Sequence, residues 1–163
     1  MEEKPKKRKN NLGKKFEDII KQSFEKVEGV DITRLRDAPK KQKNVDNPSD
    51  FIAYKKPHEI YVECKSHKGN TLPFSCIRTQ QIVQMCKKTY IDGVKAGIII
   101  WFIDKDITVW IPILEIFPYW FNGEKSINVK NLDKMEHIII HGKKKRVYFD
   151  YDIATFLEEL YGL

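Results

Sequence analysis

The sequence predicts an α/β fold with a mixed central sheet between helices, and three observations carry that reading. Two short runs rich in aromatic and β-branched residues, 51–54 and 59–62, are split by the polar tetrad Lys55-Lys56-Pro57-His58, the pattern of a β-hairpin. Residues 97–103 form an uninterrupted apolar run, as a strand buried on both faces does. Near the two ends of the chain, apolar residues recur at helical spacing. Leu12, Phe16, Ile19, Ile20, Phe24 and Val27 predict an amphipathic helix over 12–27, and Ile153, Phe156, Leu157 and Leu160 predict a final one capped by Asp150 or Asp152.

The hairpin carries the chemistry. With Lys56-Pro57 at the centre of the loop, Tyr54 faces Glu59, Ile52 faces Tyr61 and Asp50 faces Glu63. Directly opposed residues in an antiparallel pair share a face, with Cβ atoms roughly 5 Å apart. Lys65, two residues beyond Glu63, shares it too, while Ile60, Val62 and Cys64 point the other way into a core. Two opposed carboxylates repel, and a divalent cation between them removes that cost. An all-oxygen ligand set selects a hard ion, Mg²⁺ or Mn²⁺, which polarises a phosphate and lowers the pKa of a bound water. Lys65 is placed to hold the water or to neutralise growing charge. The pattern is that of a metal-dependent phosphodiesterase centre. The plain alternative is a half-exposed strand with a Glu/Lys pair on its wet face.

An Asp, a hairpin and then Glu-x-Lys is the pattern of the PD-(D/E)xK nuclease superfamily, with Pro48-Ser49-Asp50 carrying one inserted residue. The similarity extends through Glu63-Cys64-Lys65-Ser66, Lys68-Gly69-Asn70-Thr71-Leu72-Pro73-Phe74, Gln80-Gln81-Ile82 and Met85. Together with Asp150-Tyr151-Asp152-Ile153 and Leu157-Glu158-Glu159-Leu160-Tyr161, these runs resemble the RecU family of Holliday junction resolvases from about residue 13 to 161. The resemblance implies a restriction-endonuclease-like fold, a homodimer, Mg²⁺ or Mn²⁺, and paired nicks across a four-way DNA junction. One departure stands out. RecU proteins carry a long stalk before the active-site Asp, and the matching stretch here, 37–49, is short. Nuclease chemistry is unaffected, but junction selectivity loses one support.

The resemblance also assigns roles outside the hairpin. A Glu on the first helix completes the metal site in related nucleases, and Glu17, beside the apolar stripe, is the candidate; pairing with Lys21 at i,i+4 is the alternative. Gly13, one turn earlier, leaves room for a backbone or a phosphate. Gln81 falls on the inward face of a helix expected to start near Cys76, between Ile77 and Met85. It takes the place of a RecU-type Gln near the metal and its water, the alternative being a buried Gln bonded to backbone. The catalytic candidates are thus Asp50, Glu63, Lys65 and Gln81, and the metal candidates Asp50, Glu63 and Glu17.

For DNA, a strand over 30–35 places Arg34 and Arg36 on one face, and Lys40, Lys41 and Lys43 lie in a polar loop before Asp50. Ser66, Lys68 and Thr71 follow the Glu-x-Lys motif as further phosphate contacts. Residues 1–11 form a disordered basic arm, and 12–163 a single nuclease domain. Downstream, 107–111 is a strand and 112–121 an aromatic segment divided between core and dimer surface. Residues 122–136 read as loop, and 138–140 pairs with 146–149 in a hairpin tipped by Gly142-Lys143-Lys144-Lys145.

Composition sets the outer bounds. With 163 residues and 41% hydrophobic content the chain is globular, and a net charge of +7 favours a polyanionic partner. The 3 cysteines lack metal or disulfide spacing and read as reduced thiols in a cytoplasmic protein without signal peptide or membrane span. The 4 histidines lack zinc-ligand spacing, and no Ser-His-Asp arrangement or phosphate-binding Gly-rich loop is present. The reading that absorbs most residues is a RecU-like, metal-dependent DNA endonuclease. Its rivals are an endonuclease of the same fold acting on duplex or other branched DNA, and a non-catalytic DNA-binding protein.

Overall fold

The computed structural model describes residues 11–36, 47–144 and 149–162. Helix α1 (Leu12–Glu25) is followed by strands β1 (Asp31–Arg34), β2 (Phe51–Lys55), β3 (His58–His67) and β4 (Thr71–Pro73), then helix α2 (Thr79–Lys88). Strands β5 (Val94–Phe102) and β6 (Ile107–Pro112), helix α3 (Ile113–Phe121), strand β7 (Ser126–Asn128), strands β8 (Ile138–Ile139), β9 (Gly142–Lys144) and β10 (Phe149–Tyr151), and helix α4 (Ile153–Tyr161) complete the order. The main sheet runs β1-β2-β3-β5-β6-β8. Among the described residues, β3 and β5 pair in parallel within it and the other neighbours are antiparallel.

Each face of the sheet is covered. Phe16, Ile20 and Phe24 of α1 and Ile153, Phe156 and Leu157 of α4 pack on Phe51, Ala53, Ile60, Val62, Cys64, Ile99 and Trp110. On the opposite face, Ile82 and Met85 of α2 and Ile113 and Ile116 of α3 pack on Tyr61, Ile98, Ile100, Phe102, Val109 and Ile111. Double coverage explains why 97–103 has no polar alternation: Ile98, Ile99 and Ile100 are all fully buried, alternating between the two cores. α1 is capped by Asn11, whose Oδ1 accepts from the Lys14 amide at 3.3 Å. Ser23, the polar residue on its buried face, donates to the Ile19 carbonyl at 2.9 Å and accepts from the Tyr151 amide at 3.2 Å. Asp152 caps α4, accepting from the Thr155 amide at 3.1 Å and the Thr155 hydroxyl at 2.8 Å.

Gly97 is where β5 meets the Trp110 indole. A Cβ built there would lie 2.5 Å from the Ile111 carbonyl oxygen and 2.6 Å from Trp110 Cζ2. One of these is backbone in the centre of the sheet, so it has nowhere to go. Gly97→Ala is expected to lower stability by about 1–3 kcal/mol in denaturant unfolding, the range for overpacked cores; an unchanged midpoint would contradict the close packing.

Three expectations need correction, and the aromatic segment gains a secondary structure. The second helix begins at Thr79 rather than near Cys76, because Phe74–Cys76 forms a short 3₁₀ turn first. The aromatic segment is helix α3, which the internal Pro118 disguises by removing a backbone donor. Residues 122–136 are not all loop: Ser126–Asn128 pairs with Thr71–Pro73, and Val129–Lys134 is a 3₁₀ helix. Finally, Ile138–Ile139 adds to the edge of the main sheet beside β6, and it is Gly142–Lys144 that pairs with Phe149–Tyr151. Residues 1–10 of the basic arm, residues 37–46 of the stalk-equivalent stretch with Lys40, Lys41 and Lys43, and residues 145–148 of the late hairpin lie outside the described residues, while Asn11, counted with the arm, caps α1.

Candidate active site

The hairpin register is the expected one. Lys55 pairs with His58 across a two-residue loop of Lys56 and Pro57, joined by a cis peptide, and Tyr54↔Glu59, Ile52↔Tyr61 and Phe51↔Val62 follow without a bulge. The next step along this register brings Asp50 to Glu63. Asp50 lies just outside β2, and its Oδ2 accepts from the Cys64 amide at 2.8 Å, so the carboxylate is fixed against β3 at the level of Glu63. Ser49 turns the chain into the strand, its hydroxyl donating to the Phe51 carbonyl at 2.8 Å.

Glu63 faces the α2 side, and there the plain alternative of a wet face fails: its side chain is only 1% exposed. Its two oxygens have separate partners. Oε1 lies 2.7 Å from Lys65 Nζ, and Oε2 accepts from Gln81 Nε2 at 2.9 Å. Gln81 is itself held, its Oε1 accepting from the Arg78 amide at 3.3 Å in the first turn of α2. The inward polar residue on α2 therefore has a side-chain partner as well as a backbone one. Burial, then the neighbouring Asp50, push the Glu63 carboxyl up to about 7, against the pull of Lys65 and Gln81. Burial alone would depress Lys65, but Glu63, Asp50 and Glu17 outweigh it and raise its pKa, so Lys65 is an ammonium at neutral pH. The Cys64 thiol, turned into the opposite core, is pushed well above its ordinary value by burial, which leaves it protonated.

Glu17 approaches from α1. Burial and then Asp50 raise its pKa, with Arg34 and Lys65 acting the other way. Its ion-pair partner is Arg34, with Nη1 at 3.4 Å from Oε2, rather than Lys21, which pairs with Glu25. Three carboxylates thus share one electrostatic neighbourhood with Lys65. Among the described residues, however, no three acidic, histidine or cysteine side chains are grouped tightly enough to enclose an ion.

The other DNA candidates are more dispersed. Arg34 spans Glu17 and Asp18 and lies 5.0 Å over the Phe51 ring. Arg36 is exposed, and its carbonyl accepts from Asn47 at 2.7 Å. Ser66 alternates to the face opposite Glu63 and Lys65. Lys68 is exposed beside Gly69, whose amide donates to Asp104 at 2.7 Å. Thr71 sits in the small β4–β7 sheet, with Asn128 donating to its hydroxyl at 3.4 Å. Sequence reasoning missed Asp18, the second acid on Arg34: the contact joins α1 to β1 and leaves no local signal.

Comparison with known proteins fits this geometry. The model of the family described as "Recombination protein U" matches residues 11–153. No curated protein sequence matches. Among solved structures, a Holliday junction resolvase (Hjc) from the archaeal hyperthermophile Archaeoglobus fulgidus superposes with a TM-score of 0.56 at 17% identity, covering 76% of this chain and 93% of the archaeal one. At that identity the likeness speaks for the fold, a mixed sheet flanked by helices of restriction-endonuclease type.

Proposed function

This chain belongs to the Recombination protein U family and is an endonuclease of the Holliday-junction-resolving class, and from that premise we propose that Asp50, Glu63, Lys65 and Gln81 form its cleavage centre, with a divalent cation on Asp50 and Glu63. One observation carries the proposal: a glutamate buried to 1% exposure, opposed by a second carboxylate and bracketed by Lys65 and Gln81. Burying such a group costs several kcal/mol by the usual accounting of buried charge. A structural role does not require it, since an apolar side chain there would pack against α2 at no such cost.

The donor set suits a hard cation. When ionised, Asp50, Glu63 and Glu17 set three negative charges against the ammonium of Lys65, and Glu63 and Glu17 both have raised pKa values in which Asp50 is the second cause. Asp50 and Glu63 would hold Mg²⁺ or Mn²⁺, with Glu17 as a third ligand. When bound, such an ion supplies a polarised scissile phosphate and a more acidic water. The chain's own residues do the rest. Lys65, held as an ammonium, donates to the attacking water or to a phosphate oxygen as charge grows. Gln81 fixes the Glu63 rotamer from the first turn of α2. Arg34, Arg36, Lys40, Lys41, Lys43, Ser66, Lys68 and Thr71 are the proposed backbone contacts, in the phosphate-positioning role.

Two copies related by a two-fold axis would place two such centres on equivalent strands, which symmetric resolution of a four-way junction requires. No helix among the described residues is long and apolar enough to cross a membrane, and a cytoplasmic recombination enzyme is the setting we propose.

The test is cleavage of a synthetic four-way junction by wild type and Asp50→Asn, each with Mg²⁺, Mn²⁺ or chelator. The expected result is cutting by the wild type with metal only, and none by the variant although it still binds the junction. Equal cutting by Asp50→Asn would remove Asp50 from the centre, and cutting in chelator would remove the metal.

A further inference from the structure

We propose that Arg34 is a positioning residue that latches Glu17: its guanidinium holds the Glu17 carboxylate until a DNA backbone phosphate takes that place, so that substrate binding and completion of the metal site are coupled. The inference rests on the site proposed above and deepens it. Three contacts define the latch. Arg34 lies across from Phe51 on the edge strand β1, one position from Asp50, and the next residue, Leu35, donates its amide to the Asp50 carbonyl at 2.8 Å. The guanidinium carbon sits 5.0 Å over the Phe51 ring, Nη2 is 2.5 Å from Asp18 Oδ1, and Nη1 is 3.4 Å from Glu17 Oε2.

These contacts are unequal, and the inequality gives the mechanism. Asp18 and the Phe51 ring anchor the group through the short ion pair and the stack, so it stays in place whatever Glu17 does. Glu17 holds the longer, weaker contact and is the partner that can be exchanged. The Arg34 side chain is 30% exposed, enough for a phosphate to reach its planar fork, which suits phosphate as well as carboxylate. Among the described residues, Glu17 is not grouped with Asp50 and Glu63 closely enough to share an ion. Drawing Glu17 into one site with them would work against its ion pair with the guanidinium. A phosphate on Arg34 would free Glu17 for the site, and by linkage an ion holding Glu17 would free Arg34 for the phosphate.

A double-mutant cycle tests this with two probes. The first is Mn²⁺ alone, its affinity read by electron paramagnetic resonance without DNA. Arg34→Gln should bind Mn²⁺ about two- to fivefold more tightly than wild type, the scale of one partly exposed ion pair, and the gain should vanish in a Glu17→Gln background. The second probe is a four-way junction titrated in chelator at several salt concentrations. Arg34→Gln should reduce the salt slope by about one phosphate contact, and Glu17→Gln should tighten junction binding only while Arg34 is present. Arg34→Lys keeps the charge without the fork and should shift Mn²⁺ affinity in the same direction by less; it carries the comparison if the Gln variant fails to fold. Unchanged or weaker Mn²⁺ binding in Arg34→Gln, or an equal gain with and without Glu17, would overturn the latch, and so would an unaltered salt slope. Asp50→Asn separates the two levels of the argument. If it does not weaken Mn²⁺ binding, the metal centre itself is wrong; if it does and Arg34→Gln has no effect, only the latch is.

Discussion

Lys65→Ala is expected to slow junction cleavage by about 10²–10³-fold at saturating DNA and metal, the cost of losing one positioned donor at developing charge, while junction affinity in chelator changes little. The reason is local. Lys65 is the cation at 2.7 Å from Glu63, with a side chain 24% exposed and therefore open to substrate on one side. Its raised pKa, set by Glu63, Asp50 and Glu17, keeps it charged across the neutral range in the metal-free site, which makes it a donor. The loss should fall on kcat rather than KM, because the interaction strengthens only as the phosphate gains charge. Truncation also leaves Glu63 with one fewer partner, so a melting curve must accompany the rates. A matching loss of binding in chelator would mean that Lys65 holds ground-state DNA and nothing more.

The second large effect is a pH dependence of stability that runs opposite to the usual carboxylate case. Glu63 moves from an ordinary 4.5 to about 7, chiefly through burial and then through Asp50. Between those values the folded state binds the proton that the unfolded state has released. Stability in chelator should therefore fall as pH rises from about 4.5 to about 7, and level off above. The stabilisation conferred by Mg²⁺ should grow through the same window, because the ion and the proton compete for one carboxylate. Other acids titrate in the same range of pH, so the informative quantity is the difference between wild type and Glu63→Gln in chemical denaturation. That difference should carry the slope. A difference that is flat with pH would show that Glu63 is charged throughout and that its neighbours, not burial, set its pKa.

Much of this architecture is legible in the sequence, and the parts that are not share a cause. The hairpin register followed from parity and a two-residue loop, both local, and Asp50, Glu63 and Lys65 came together as expected. The apolar run 97–103 announced a doubly covered strand because no polar alternation interrupts it. Gln81 could be placed on an inward helix face by spacing alone, although its bond to Glu63 joins residues 18 positions apart. What escaped was long-range or masked. Helix α3 is hidden by Pro118 and by aromatic residues that suit core and surface alike. The pairing of Thr71–Pro73 with Ser126–Asn128 joins two strands of three residues, too short for a period to register. Arg34 reads as a DNA contact on a strand, and only the approach of α1 reveals that Glu17 and Asp18 already engage it. Burial of Glu63 was missed for a similar reason: the sequence shows which side of β3 it takes, but not that α2 closes over that side.

The most direct measurement of the central claim is cleavage by the wild-type protein of a synthetic four-way junction and a linear duplex of matched sequence, in Mg²⁺, with the strand ends mapped. The account predicts paired, symmetry-related nicks in the junction, with the duplex left intact. Cutting of both substrates at the same rate, or binding of the junction without any cutting, would contradict it.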